Sequence, residues 1–571
     1  MTRISLLKLV LFFVLIAAGC GSNEDTGNKK DPGNPGSHIP YLEKHGSAAR
    51  LVVGGKPMLL ISGELHNSTC GGLEYMRPVW KRMAEKNLNC VIATVSWELT
   101  EPEKGKFDFT LVDSIITGAR EAGLKLVLIW FGSWKNGGSI YIPSWVKKDY
   151  QKYPRVKDEN GKTLEILSTF GEASCQADAE AYARLMQHIR MVDEKYGTVI
   201  MMQVENEAGI LDNMGETPGN ARRDFSETAN SAFNGPVPGE LMDYLVHHRD
   251  DLFPELLNVW KRNGLKTTGT WEEVFGKGVL RPLEKDWKFY SYYTEELFMA
   301  WNYARYIERI AAAGKKEYPI PVYVNAWLKQ PTTRWPGRYP SGGPLPQVID
   351  VWRAGAPSVD FIAPDIYIDD FRWVCDEFTR SGNPLFIPET RGGEAGAARA
   401  FFAFGEYGAG CFAPFGIDNP AYGNNDPLDG AYAVLGNLSQ LILEHQGNGT
   451  MRGILVDERT REQELFLGGY RIRASLANYS ASGMTGGLIV NTGAGEFLAA
   501  AKNLDLFFYP ENGPERIGID AVDEGTFING RFIPSRRLNG DETHASTWSG
   551  TGTRFQGNDY TIQKISLYHY R

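Results

Sequence analysis

The 571-residue chain has only six cysteines, none of them in Cys-x-x-Cys spacing, so neither a disulfide framework nor a thiolate zinc site is signalled. It lacks any run of Asp, Glu and His at metal-ligand spacing and any glycine-rich phosphate cradle after a strand. No metal and no cofactor are therefore expected. It also lacks a long basic run: 60 Lys and Arg stand against 69 Asp and Glu, for a net charge of −9 and a pI near 5.7. That sign argues against a nucleic-acid partner, because phosphate binding needs clustered cations. The apolar stretch at residues 9–16 is too short to span a membrane.

What that stretch does carry is an address. Arg3 and Lys8 flank its start, small residues follow at 17–19, and Cys20 comes next, the order of a secretory signal peptide over residues 1–19. The Gly19-Cys20 ending resembles a bacterial lipobox, which implies a lipidated Cys20, a membrane partner through that anchor, and an outer-membrane lipoprotein facing the cell surface or the periplasm. Residues 20–40 are polar and rich in Gly and Pro and read as a flexible tether. Within them Ser22-Asn23-Glu24-Asp25 resembles the acidic tag of some surface-exposed Gram-negative lipoproteins. The other five cysteines, Cys70, Cys90, Cys175, Cys375 and Cys411, read as free buried thiols.

Rings are abundant, with 14 Trp, 26 Tyr and 28 Phe. They suit either stacking on flat sugar faces or a large aromatic core. From about residue 50, eight apolar runs recur at 57–64, 89–97, 124–131, 198–205, 318–327, 359–367, 383–389 and 408–415. Most are continuously apolar, as parallel strands covered on both faces are. Helical patterns lie between them, such as 75–86 and 110–122, the latter stopped by Gly123. Eight β-then-α units predict a (β/α)8 TIM barrel over 41–445, in the α/β class. The fourth connection, 208–318, is longer than one helix needs and is expected to reach over the barrel mouth as an insertion. After a last helix near 432–444, residues 446–571 turn to short alternating runs separated by Gly, Asn and Pro. They predict a C-terminal antiparallel β-sandwich that buttresses the barrel or binds glycan.

In such a barrel, reactive groups stand at the C-terminal ends of strands. The fourth run ends in Glu205, Asn206 and Glu207, and the seventh ends in Glu389. Strand alternation would place Glu205 and Glu207 on one face, with Glu205 a supporting residue paired to an Arg or Lys. Two carboxyls across one mouth are what glycoside hydrolysis needs, one to protonate the departing oxygen and one to attack the anomeric carbon. Glu394 is the rival for the second role.

The run Gln203-Val204-Glu205-Asn206-Glu207 resembles the Q-V-E-N-E of glycoside hydrolase family 35, the retaining β-galactosidases. Ser62-Gly63-Glu64-Leu65-His66 is similar to the family's S-G-x-I-H. Trp97 to Pro102 with Gly105 to Phe109 is similar to W-N-x-H-E-P and G-x-F-D-F, and Pro143-Ser144-Trp145 to P-x-W. The resemblance spans about residues 50–415. It implies Glu207 as acid/base, Asn206 as partner of the sugar 2-hydroxyl, Glu389 as nucleophile, and a retaining mechanism. The chain departs from the pattern at Asn67, Thr94 and Glu98, and has Ser133-Trp134-Lys135-Asn136 where the family grips galactose with C-A-E-W. It resembles a divergent lipoprotein branch that trims plant polysaccharide side chains.

Tyr367, ending the sixth run, is a candidate donor to the nucleophile. Trp97, Trp134 and Trp327 are candidate stacking surfaces, and Glu64, His66, Asn136 and Asn325 candidate hydroxyl binders. The expected activity is exo-hydrolysis of terminal β-galactosyl residues from an oligosaccharide or polysaccharide. The alternatives are a retaining glycosidase for β-xylosides, β-glucosides or α-L-arabinosides, or a surface glycan-binding lipoprotein without turnover.

Overall fold

Each of the eight apolar runs becomes one stave of a closed parallel barrel. In chain order these are β1 (Leu60–Glu64), β2 (Cys90–Ser96), β3 (Lys125–Lys135), β4 (Val199–Asn206), β5 (Val322–Trp327), β6 (Phe361–Ile366), β7 (Ile387–Thr390) and β8 (Cys411–Pro414). Neighbours in sequence are neighbours in the barrel, and β8 pairs with β1. The computed structural model describes residues 39–212, 222–278, 287–288, 290, 293–419, 426–477, 483–528, 530–544 and 550–571. The signal peptide, Cys20 and almost all of the tether lie outside the described residues.

The strands are apolar throughout because both of their faces are covered. Inward side chains, among them Ile92, Ile129, Phe131, Tyr323, Phe361, Phe386 and Cys411, form one cluster. In it Tyr323 stacks on Phe361 at 5.2 Å and leans on Phe386 at 4.9 Å. A three-stranded antiparallel meander, Tyr41–His45, Ala48–Val53 and Lys56–Met58, stoppers the end where the strands start, with Leu51 in the same cluster. Outward side chains pack on the barrel helices α1 (Leu73–Glu85), α2 (Thr110–Glu121), α3 (Glu172–Asp193), α4 (Thr294–Glu317), α5 (Ile349–Gly355), α6 (Phe371–Thr379), α7 (Gly393–Tyr407) and α8 (Pro427–His445). Helix α2 stops as its sequence predicts, with Gly123 in the left-handed region at φ 74°. Cys70, Cys90, Cys175, Cys375 and Cys411 are all free and buried.

The long fourth connection holds short helices at Glu227–Phe233, Gly239–His247, Pro254–Arg262 and Trp271–Phe275, and its last part is α4 itself. Its start is tied to the loop after β5, where Ile210 and Ser341 exchange backbone hydrogen bonds of 3.0 and 2.8 Å. Farther on, the Phe253 amide donates to Asp350 of α5 at 2.7 Å. The helical part therefore leans on the α5 flank.

Behind the barrel stand two antiparallel sheets. One has six strands, in the order Met451–Val456, Thr485–Gly493, Glu496–Ala501, Thr561–Tyr570, Arg516–Ile528 and Arg531–Leu538. The other has four, in the order Glu462–Leu467, Tyr470–Leu476, Leu504–Pro510 and Thr551–Phe555. Ile454, Ile472, Ile489, Phe497, Leu506 and Phe508 fill the space between them. The far face of the six-stranded sheet lies on α7. Backbones meet there so closely that a Cβ on Gly486 would sit 2.3 Å from the Ala398 carbonyl oxygen, and one on Gly453 2.5 Å from that of Phe402. Arg452 grips Glu406 of α7 through two bonds of 2.9 and 2.6 Å, Phe401 stacks on Tyr560 at 4.2 Å, and Glu394 pairs with Lys502.

Candidate active site

The tip of β4 does not follow strand alternation. Glu205 and Glu207 both adopt left-handed backbone, at φ 61° and 48°, a conformation costing a non-glycine residue on the order of 1–3 kcal/mol. The kinks send the two side chains to different places. Glu205 turns to the rear, where Oε1 accepts the Ser133 amide at 3.0 Å and Oε2 accepts the Trp134 amide at 2.6 Å. Its companion is Asp178 of α3, which accepts the Trp130 indole N–H at 2.8 Å and the Ser133 hydroxyl at 2.5 Å. Glu205 is thus paired with a second carboxyl and backbone donors, not with the expected Arg or Lys. Burial raises both carboxyls, Glu205 strongly, so the pair holds a proton more tightly than free carboxyls do. Gly132 is required beside it, since a Cβ would lie 2.7 Å from an oxygen of each acid.

Glu207 turns into the mouth instead. Its amide donates to Asn325 Oδ1 of β5 at 2.9 Å, and Asn325 Nδ2 donates to Asp365 Oδ2 of β6 at 2.8 Å. One carboxylate oxygen each from Glu207, Asp365 and Glu389 lie within 4.8 Å of one another. Register explains part of this meeting, because Asp365 and Glu389 are paired across β6 and β7. The Tyr367 hydroxyl donates to Glu389 Oε1 at 2.5 Å. Glu389 Oε2, Asp365 Oδ1, Glu64 Oε1 and Asn206 Nδ2 are buried without a protein partner among the described residues, which leaves polar atoms of this cluster unsatisfied by the protein.

Electrostatics separate the two glutamates. Burial, then the Glu389 charge, pushes Glu207 up to about 7, against the opposing pull of Lys135. Burial raises Glu389 as well, but the Lys135 ammonium and the Tyr367 bond hold it down. Glu207 therefore keeps its proton to higher pH than Glu389, as an acid beside an ionised nucleophile must. Burial and the Glu389 and Glu207 charges raise Glu64 well above the usual carboxylate range.

Lys135 is the site residue the sequence reading passed over as a mere departure from a motif. It sits at the end of β3, where Asn136 (φ 52°) and Gly137 (φ 68°) make the two left-handed residues of a tight turn, closed by Lys135–Gly138 backbone bonds of 2.8 and 2.9 Å. Its Nζ donates to Asn206 Oδ1 at 2.9 Å. Asp365 was also missed, because this charge sits inside the sixth run, before Ile366 and Tyr367, and not at its end. The three carboxyls of Glu207, Asp365 and Glu389 thus converge, with the Lys135 charge acting on Glu207 and Glu389.

The structure corrects the readings of Trp97, Trp134, Asn325 and Glu394 and places the other candidates. Trp97 is fully buried and donates to Glu101 at 2.8 Å. Trp134 is buried between Tyr303 and Tyr306 and donates to the Leu167 carbonyl at 3.1 Å. Both rings turn outward into the helix layer and offer no face to a sugar. Asn325 spends one end of its side-chain amide on the Glu207 backbone N–H and the other on the Asp365 carboxylate, so it braces the rim instead of binding a hydroxyl. Asn136 is exposed in its turn, its amide bonded to the Asn206 carbonyl at 3.1 Å. His66 is half-exposed, with Nδ1 on Asp418 at 2.9 Å. Trp327 is half-buried at the end of β5. Glu394 lies in the first turn of α7 and is tied to Lys502 of the C-terminal domain, so it is no rival to Glu389.

Comparison with known proteins adds the following. Residues 50–237 match the family described as Glycosyl hydrolases family 35, and residues 428–549 match one described as Domain of unknown function (DUF5597). A Beta-galactosidase of Xanthomonas manihotis is 30% identical over 171 residues, 28% of this chain and 25% of that protein. A Beta-1,2-glucosyltransferase of Ignavibacterium album is 26% identical over 192 residues, 30% of this chain and 25% of that protein. The chain thus spans about a quarter of the length of these relatives. Among solved structures, the catalytic domain of a beta-amylase from Paenibacillus polymyxa has a TM-score of 0.44 at 15% identity, covering 63% of this chain and 92% of that one.

Proposed function

We propose, from a barrel whose residues 50–237 match glycosyl hydrolases family 35, that the protein is a retaining glycoside hydrolase with Glu207 as acid/base and Glu389 as nucleophile. The observation that carries the reading is the approach of their carboxylate oxygens to within 4.8 Å, since double displacement uses carboxyls about 5–5.5 Å apart and inversion needs a wider gap. In the first step Glu389 attacks the anomeric carbon while Glu207 gives its proton to the departing glycosidic oxygen. In the second, Glu207 takes a proton from water, which attacks the same carbon and releases Glu389. Asn206 Nδ2, held by Lys135 through the other end of the amide, donates to a sugar hydroxyl, and Glu64 accepts from another.

The substrate we propose is a terminal β-galactosyl residue of an oligosaccharide or plant polysaccharide side chain, taken in exo fashion. The printed activity of the Xanthomonas relative supports the sugar. Lys135, standing where the family's hydroxyl-gripping motif would be, favours a second reading within the same chemistry, in which the sugar is β-xylosyl, β-glucosyl or α-L-arabinosyl. Lipidation at Cys20 would place the enzyme on the outer membrane. A panel of p-nitrophenyl glycosides with wild type, Glu207→Ala and Glu389→Ala tests all of this. Release of sugar with retained configuration, lost in both variants and rescued in Glu389→Ala by azide as the α-glycosyl azide, is expected. Inverted product refutes the roles, and binding without hydrolysis leaves only a lectin.

A further inference from the structure

We propose that Asp365 is a positioning residue for the acid/base: its carboxyl group stays protonated through the cycle and donates a hydrogen bond to the Glu207 carboxylate formed when that acid has given its proton away. The inference rests on the reading of Glu207 as the acid/base. Asp365 is 3% exposed at the tip of β6, and Asn325 fixes it together with Glu207, one end of the amide on each. Asn325 donates to Oδ2, which leaves Oδ1 as the oxygen for a proton. Oδ1 is buried and has no hydrogen-bond partner among the described residues, so it is the oxygen free to carry the proton. One carboxylate oxygen of Asp365 lies within 4.8 Å of one of Glu207, close enough for a small adjustment to bring them into hydrogen-bond contact.

Every element around Asp365 makes its ionisation costly. Glu207 faces it from β4, Glu389 from β7, Glu64 from β1 and the Tyr323 phenol from β5, with the Tyr367 phenol two residues on in its own chain. Among the described residues, Lys135 of β3 is the cation that acts on the carboxyls Glu64, Glu207 and Glu389. Burial and these like charges push Asp365 well above the usual carboxylate range. A neutral Asp365 then has one chemical use here. When Glu207 protonates the glycosidic oxygen it becomes a buried anion, and the Asp365 O–H stabilises it. When Glu207 takes the proton back from the attacking water, Asp365 still holds its own.

Asp365→Asn keeps an acceptor for Asn325 and a donor toward Glu207, whereas Asp365→Leu removes both. The kcat/KM pH profile of Asp365→Asn should keep the wild-type alkaline limb. Asp365→Leu should move that limb to higher pH and lower kcat roughly tenfold, the rate equivalent of a weakened hydrogen bond to a charged group. A limb shifted to lower pH in Asp365→Asn would mean the aspartate is ionised and overturns the proposal, as does an unmoved limb in Asp365→Leu. Should the leucine variant fail to fold, 13C-carboxyl-Asp NMR on wild type decides. The resonance missing from Asp365→Asn should report a protonated acid at pH 7, and an ionised one refutes the inference. Absence of any wild-type turnover overturns the reading of Glu207 itself, a result distinct from turnover with a displaced Asp365→Asn profile.

Discussion

Replacing Tyr367 by Phe removes one oxygen and should narrow the pH range of activity from its acid side. The hydroxyl is the donor to Glu389 Oε1 at 2.5 Å, and Oε2 has no protein donor among the described residues. A hydrogen bond to a charged group contributes about 1.5–3 kcal/mol, and 1.36 kcal/mol corresponds to one pH unit, so Glu389 should titrate about 1–2 units higher. The sign follows from the bond favouring the ionised form: activity requires the Glu389 carboxylate, is lost as pH falls through its pKa, and is lost earlier once the bond is gone. Because Glu207 must remain protonated and itself titrates at about 7, the usable interval shrinks toward neutrality and the maximum of the bell falls. The assay is kcat/KM for an aryl glycoside from pH 4 to 9 on both proteins, with circular dichroism to confirm the fold. An acid limb that stays in place, whatever happens to kcat, would refute the view that Tyr367 keeps the nucleophile ionised.

Lys135→Met should also shift the acid limb upward and cost about tenfold or more in kcat, since it removes the cation that opposes Glu64, Glu207 and Glu389; unchanged pH profiles would deny the ammonium that role. Glu207→Gln should flatten the dependence of unfolding free energy on pH. The wild-type group binds its proton more tightly folded than unfolded, so its stabilisation is full below 4.5 and is lost as pH rises through about 7, a difference on the order of 3 kcal/mol; urea titrations at pH 4 and 8 that show equal slopes for both proteins would contradict it. Gly486→Ala should destabilise by about 1–3 kcal/mol, because its Cβ would meet the Ala398 carbonyl oxygen at 2.3 Å; an unaltered urea midpoint would show that the seam yields freely.

The barrel was legible because each stave is buried on both faces and therefore reads as an unbroken apolar run. Its reactive rim was legible where such a run ends in charge, as at Glu207 and Glu389. The outward turn of Trp97 and Trp134 was not, because a ring at a strand end can enter either layer and only the packing of Glu101, Tyr303 and Tyr306 selects the outer one. Lys135 was hidden for a different reason. Its place beside Asn206 depends on a bulged register between β3 and β4 and on the Asn136-Gly137 turn folding the strand end back. Alternation misplaced Glu205 because two left-handed residues flank Asn206, a departure that no spacing rule encodes.

Only Arg391 and Gly392 separate β7, which ends at Thr390, from α7, which starts at Gly393. The C-terminal sheet therefore holds, glycine against backbone, the helix that immediately follows the strand bearing Glu389. Excising that domain to obtain a minimal catalyst, or exchanging it for a foreign appendage, would strip the moulded cover from this helix and free the segment next to the nucleophile.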